Sequence, residues 1–183
     1  MTHDASSELP SIRVYVACLA SYNAGILHGK WLALDDFEGP EELQAAIFDQ
    51  VLKTSTEPYA DEWAMHDYEG LPEGYSPSEW PDWADLFRIR DLLEEHGEIF
   101  EAALSLSSGD IDYAEEMVTD YYTGFNYDHF NYADYGQDFL ESTGMIDAVP
   151  ENLRYYIDYH AYGRDLFLGG DVQEHNGYVF YTH

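Results

Sequence analysis

The sequence predicts an α+β fold, on three observations. A β-branched, alternating stretch stands near the start, with Val14 and Val16 flanking Tyr15. Apolar residues recur at helical spacing through the middle: Leu86, Ile89, Leu93, Phe100, Ala103 and Leu104. A strand-forming segment, Gly177–Thr182, closes the chain.

The elements follow in order. Arg13–Ala20 reads as a strand, Ser21–Gly25 as a turn and Ile26–Leu34 as a returning strand through His28, Lys30 and Trp31. Pro40 after Gly39 opens a helix, with Glu41 and Glu42 in its positive first turn. Leu43, Ala46, Ile47 and Val51 give that helix one apolar face. Glu62–Tyr68 is a third strand, with Trp63, Met65 and Asp67 on one side. Gly70–Trp83 holds Pro72, Gly74, Pro77 and Pro81 and reads as a linker. Helix resumes at Asp82 and is interrupted at Gly97. After a break at Ser107–Asp110, Asp110 is placed to cap a helix through Tyr122. Tyr135–Thr143 and Glu151–Phe167 read as helices, the second stopped by Gly169–Gly170. The expected domains are 10–70 (α+β), 71–118 (helical) and 119–183 (α+β).

The charge is the most unusual property of the chain. Its 183 residues carry 37 acidic and 7 basic side chains, a net charge of −30. The first 70 residues hold a net −10, residues 71–118 a net −11 and residues 119–183 a net −9. An acidic tail would gather its carboxylates in one block. Here they are interleaved with aromatics, and the even spread suits a rod better than a patch. Such a surface repels itself and weakens the compact state. It also repels nucleic acid and anionic membranes. Aromatic content of 16% is too high for a disordered acidic chain. The single cysteine, Cys18, excludes an intrachain disulfide and reads as a small buried hydrophobe. No apolar run approaches the roughly 20 residues of a membrane span. Met1–Pro10 lacks a signal pattern, so a reducing cytoplasm is expected.

Catalytic signatures are missing. The sequence has no Gly-rich phosphate loop, no His-Glu-x-x-His, no cysteine pair and no nucleophile elbow. Asp110-Ile-Asp112 begins like a calcium loop without its glycine and distal glutamate. His66 and His160 read as surface or packing residues rather than metal ligands. Close carboxylate pairs carry no weight where 37 acids make them by chance. No catalytic residue, metal site or cofactor is therefore expected.

Two features invite a binding role. Glu94, Glu98 and Glu101 fall at i, i+4 and i+7, and a continuous helix would align them on one face. That row is either a solvated helix face or a set of carboxylates placed to meet a partner's cations. The cluster Tyr121, Tyr122, Phe125, Tyr127, Phe130, Tyr132 and Tyr135 is either core or a subunit interface rimmed by Asp120, Asp128 and Asp134. Duplex DNA, with one charge per ~1.7 Å of axis, scales the charge: 30 charges equal roughly 15 base pairs, and a dimer's 60 roughly 30 base pairs. Two other readings of an acidic surface are adaptation to high salt and a carboxylate-based metal-binding enzyme.

Three segments carry a family resemblance. They are Val14-Tyr-Val-Ala-Cys-Leu-Ala-Ser-Tyr-Asn-Ala-Gly-Ile-Leu-His-Gly-Lys-Trp31, Glu62-Trp-Ala-Met-His-Asp-Tyr-Glu-Gly70 and Tyr156-Ile-Asp-Tyr-His-Ala-Tyr-Gly-Arg-Asp-Leu166. In that order they resemble the ArdA antirestriction proteins, and Leu92–Leu104 resembles the family's acidic antirestriction motif. The resemblance implies a non-enzymatic protein encoded on mobile elements and acting in the bacterial cytoplasm. It implies mimicry of bent B-form DNA, with the mimic occupying the DNA site of type I restriction–modification enzymes, on their methyltransferase core. It also implies an elongated, curved chain of three small domains that dimerises through its C-terminal region. The expected phosphate surrogates are Glu94, Glu95, Glu98 and Glu101, extended by Asp110, Asp112, Glu115, Glu116, Asp120, Asp61 and Glu62. The expected dimer contacts are Phe125, Tyr127, Phe130 and Tyr132.

Overall fold

The structure, a computed structural model, describes residues 11–182. The expectation for Met1–Pro10 lies outside the described residues. The chain divides into two compact units, with the break between Ile111 and Asp112.

The first unit is built on a three-stranded antiparallel sheet in the order β2-β1-β3. The strands are β1 (Arg13–Cys18), β2 (Gly29–Ala33) and β3 (Trp63–Glu69). β1 lies in the centre because its apolar content suits burial: Val14, Val16, Ala17 and Cys18 are all buried. The predicted first strand stops short, since Leu19–Asn23 turns into the helical α1. His66 is the extra residue of a bulge, because Tyr15 faces Asp67 while its neighbour Val16 faces Met65. The bulge breaks the alternation expected for β3. Ala64 and Met65 are both buried, and Asp67 points to solvent rather than joining them.

Helix α2 (Pro40–Ile47) buries Leu43, Ala46 and Ile47, and a π-helical turn, Phe48–Leu52, carries the chain on and packs Val51 and Leu52 against Cys18 of β1. Two further helices complete the unit. The side chain of Asp82 accepts a hydrogen bond from Ala84 N at 2.9 Å and caps α3 (Trp83–His96). Gly97 then breaks the chain, and α4 (Glu98–Leu106) follows. Helix α3 and the segment before it are fastened to the sheet region by specific contacts. Arg90 donates from Nη1 to the carbonyls of Leu34 and Phe37, each at 3.0 Å. Trp83 stacks on Trp63 at 5.2 Å, and Met65 N donates to Glu79 O at 2.8 Å. Within the segment read as a linker, Trp80 and Trp83 both meet Trp63.

The second unit opens inside α5 (Ile111–Glu116), which runs into a π-helical turn through Tyr121, so the helix predicted to reach Tyr122 changes pitch before it ends. Its sheet is antiparallel in the order β4-β6-β5: β4 (Tyr122–Asn126), β5 (Val172–His175) and β6 (Tyr178–Tyr181). Neither β4 nor β5 was legible in the sequence. The helices are α6 (Tyr132–Ser142), α7 (Glu151–Arg154) and α8 (Tyr159–Gly169). The single helix predicted over Glu151–Phe167 is two, because Asp158 caps a new one by accepting from Ala161 N at 2.9 Å. α6 and α8 cross at Gly136 and Gly163, where a Cβ on either glycine would strike the backbone of the other helix.

Candidate functional site

The acidic segment begins at the end of α3. Its inner face is apolar, with Leu92 and Leu93 buried, and this turns Glu94 and Glu95 outward into solvent. Both carboxylates lie in the last turn of the helix, where backbone carbonyls leave a partial negative charge. That placement is unfavourable for stability. His96 is the one basic group in that turn, and its Nε2 lies 3.9 Å from Glu95 Oε1. A sequence selected for helix stability would set cations here.

Gly97 decides the geometry of the rest. Its φ of +61° and ψ of −139° belong to glycine alone, so α3 and α4 are separate helices. The aligned face expected for Glu94, Glu98 and Glu101 therefore does not form. Glu98 is exposed and Glu101 half-buried, both in the first turn of α4, where the helix dipole favours them. An ideal Cβ on Gly97 meets nothing within 4 Å. Gly97→Ala is consequently expected to lose about 1–3 kcal/mol through backbone strain alone. Urea denaturation checks this, and an unchanged midpoint would show that the two helices can rejoin.

The remaining predicted residues are distributed over both units. In the first, Asp61 and Glu62 are exposed just before β3, and Asp110 is exposed just before α5. In the second, Asp112, Glu116 and Asp120 are exposed and Glu115 is half-buried. Glu116 accepts the Tyr121 hydroxyl at 2.9 Å, and that hydrogen bond leads the causes raising the tyrosine's pKa. Arg13, Lys53, Arg90, Arg154 and Arg164 pair with Glu69, Asp49, Asp91, Asp147 and Asp165, carboxylates outside the predicted set.

The four rings expected at a subunit interface are half-buried in the second unit. Phe125, Tyr127 and Phe130 pack on a core of Tyr135, Val172 and Val179. Tyr132 meets Phe130 edge-on at 5.6 Å and Phe167 at 5.4 Å. The Tyr127 hydroxyl donates to Asp138 Oδ2 at 2.7 Å. Burial and that carboxylate push its pKa above the ordinary tyrosine range. Sequence reasoning missed a cluster in the first unit: Trp63, Trp80 and Trp83 beside Asp61 and Asp82. Three tryptophans in twenty-one residues were the available signal, obscured by the prolines around them.

Cys18 is buried at the start of α1. Burial pushes its thiol up, and hydrogen bonds from Ser21 and Ser55 outweigh that and bring its pKa below the usual thiol value. Among the described residues, no three His, Cys, Asp or Glu side chains form a group that could hold a metal ion. Nor is any helix among them long and apolar enough to cross a membrane.

No curated protein matches the chain. A family model described as antirestriction protein (ArdA) matches residues 14–180, nearly its whole length. The matched region takes in both compact units, the acidic segment around Gly97 and the glycine crossing of α6 and α8. With the α+β architecture and the carboxylate-rich surface already described, this match establishes that the chain belongs to the ArdA family of antirestriction proteins.

Proposed function

We propose that this protein mimics B-form DNA and blocks type I restriction–modification enzymes by occupying the DNA site of their methyltransferase core. The observation that carries the proposal is the net charge of −30, spread evenly along the chain and presented on exposed carboxylates in both units. Glu94 and Glu95 add weight, because they sit where they oppose their own helix dipole and so serve something other than stability. Glu98, Glu101, Asp110, Asp112, Glu115, Glu116, Asp120, Asp61 and Glu62 complete the set of phosphate surrogates. On this reading the protein is an inhibitor and not an enzyme, needs no cofactor, and works in the cytoplasm of a bacterial host of mobile elements. It binds neither nucleic acid nor membrane. A division into three domains at Gly70 and Val118, and a homodimer joined through Phe125, Tyr127, Phe130 and Tyr132, belong to the same proposal.

Competition tests it. The protein is expected to displace a duplex from a type I methyltransferase core, and its own affinity for that core, measured without DNA, should weaken as salt rises, because the attraction between opposite charges is screened. Sedimentation of the same sample is expected to give a dimer mass. Affinity unchanged between low and high salt would count against mimicry, and a monomer would remove the second half of the mimic.

A further inference from the structure

Charge alone attracts every cation equally, yet the first unit holds a feature that distinguishes one kind from another. A cleft of about 450 Å³ is lined by Phe48, Asp61, Trp63, Trp80, Asp82 and Trp83, with Gln44, Ile47, Leu52 and Pro81 filling its walls. All of these residues belong to the one compact unit. Trp63 and Trp83 are stacked at 5.2 Å with 30° between their planes. Trp80 is 61% exposed and held by its Nε1, which donates to Trp63 O at 3.0 Å. The ring faces are therefore fixed by packing and hydrogen bonding.

The polar groups of the cleft point to its occupant. Asp61 and Asp82 supply carboxylates, and no lysine or arginine lines the cleft. One Asp82 oxygen is committed to capping α3. Lys53 Nζ lies 4.7 Å over the ring of Phe48, a residue of the cleft wall, and pairs with Asp49 at 2.6 Å. One wall ring thus already carries a cation. Trp83 is 3% exposed, and its Nε1–H is buried with no hydrogen-bond partner. A buried donor without a partner is unstable relative to one that meets an acceptor.

We infer that this cleft receives an arginine side chain of the partner protein. The planar guanidinium stacks on indole faces and forks onto carboxylates, which a lysine ammonium cannot do as well. The volume exceeds one side chain, so flanking backbone enters too, and Trp80, the most exposed of the three indoles, offers the face on which the guanidinium stacks. The inference rests on the proposal that the acidic surface meets a DNA-binding protein, since such a protein presents arginines along its DNA site. It adds an anchor that is read by shape to a surface otherwise read by charge.

The test uses the full chain with two probes of equal charge, tetra-arginine amide and tetralysine amide, followed by tryptophan fluorescence. Tetra-arginine is expected to bind about tenfold tighter than tetralysine. Trp80→Ala and the gentler Trp80→Phe and Asp61→Asn, all at exposed positions, are expected to narrow that preference. In DNA competition, Trp80→Ala is expected to weaken inhibition about tenfold while leaving the salt dependence unchanged. Equal binding of the two peptides, or a preference untouched in the folded variants, overturns the inference. Wild-type protein that displaces DNA without preferring arginine overturns the cleft and leaves mimicry standing. Arginine preference in a protein that fails to displace DNA overturns mimicry and supports the cleft as an arginine site.

Discussion

Gly163→Ala is expected to lower the melting temperature of the C-terminal unit by on the order of 15 °C. On propensity alone the change should stabilise, because alanine is better than glycine inside a helix by about 1 kcal/mol. The tertiary contact reverses the sign. Gly163 lies in α8 against α6, and a Cβ there would collide with Tyr132 O and reach Gly136 N at 3.1 Å. A Cβ on Gly136 meets the facing turn in the same way, striking Tyr159 O and lying 2.9 Å from Gly163 N. Every one of these neighbours is backbone, so no flexible side chain can yield. Overpacking of this kind costs about 3 kcal/mol, a large share of what a small unit possesses. Circular dichroism melts of Gly163→Ala and Gly136→Ala check the expectation, with Gly144→Ala as the comparison. Gly144 has a φ of +71° but open space around it, so its change should cost only about 1 kcal/mol. A Gly163→Ala protein that melts like wild type would show that the helices separate freely.

Simultaneous reversal of Glu94, Glu95, Glu98 and Glu101 to lysine is expected to weaken inhibition a hundredfold or more, whereas Glu94→Lys alone should cost about fivefold or less. Exposed charges contribute about 0–1 kcal/mol each, so one change is small and four accumulate. The four reversals also move the net charge from −30 to −22. The break at Gly97 separates function from folding within this set. Lysines at 94 and 95 complement the negative end of α3, while lysines at 98 and 101 oppose the positive end of α4. The double variant Glu94→Lys, Glu95→Lys should therefore be at least as stable as wild type and still inhibit less. Inhibition measured beside urea denaturation decides this. One carboxylate whose reversal abolishes inhibition in a folded protein would refute a distributed surface.

Legibility in the sequence followed the range of the forces involved. β1, β2, α2 and the core of α3 could be read because alternation, an N-terminal proline and apolar spacing act within a few residues. β5 could not, since Val172 is its one buried side chain and its partner β6 supplies the rest. β4 was hidden in an aromatic run that fits strand, loop or interface equally, and only its pairing with β6 selects strand. The tryptophan cleft was masked by the prolines of an apparent linker. Only the folded chain shows that Trp80 and Trp83 both meet Trp63.

The net charge, its even spread and the family pattern are properties of the sequence by itself, because charge and motif order require no folding. The sequence also placed a glycine inside the acidic motif. Tertiary structure decided what that glycine does: it puts Glu94 and Glu95 on one helix and Glu98 and Glu101 on the next. Packing likewise decided that Gly136 and Gly163 are contact points rather than weak helix positions, and that three tryptophans form one cleft. Long-range contacts settle such matters, and no local pattern encodes which backbone atoms will stand opposite a missing Cβ.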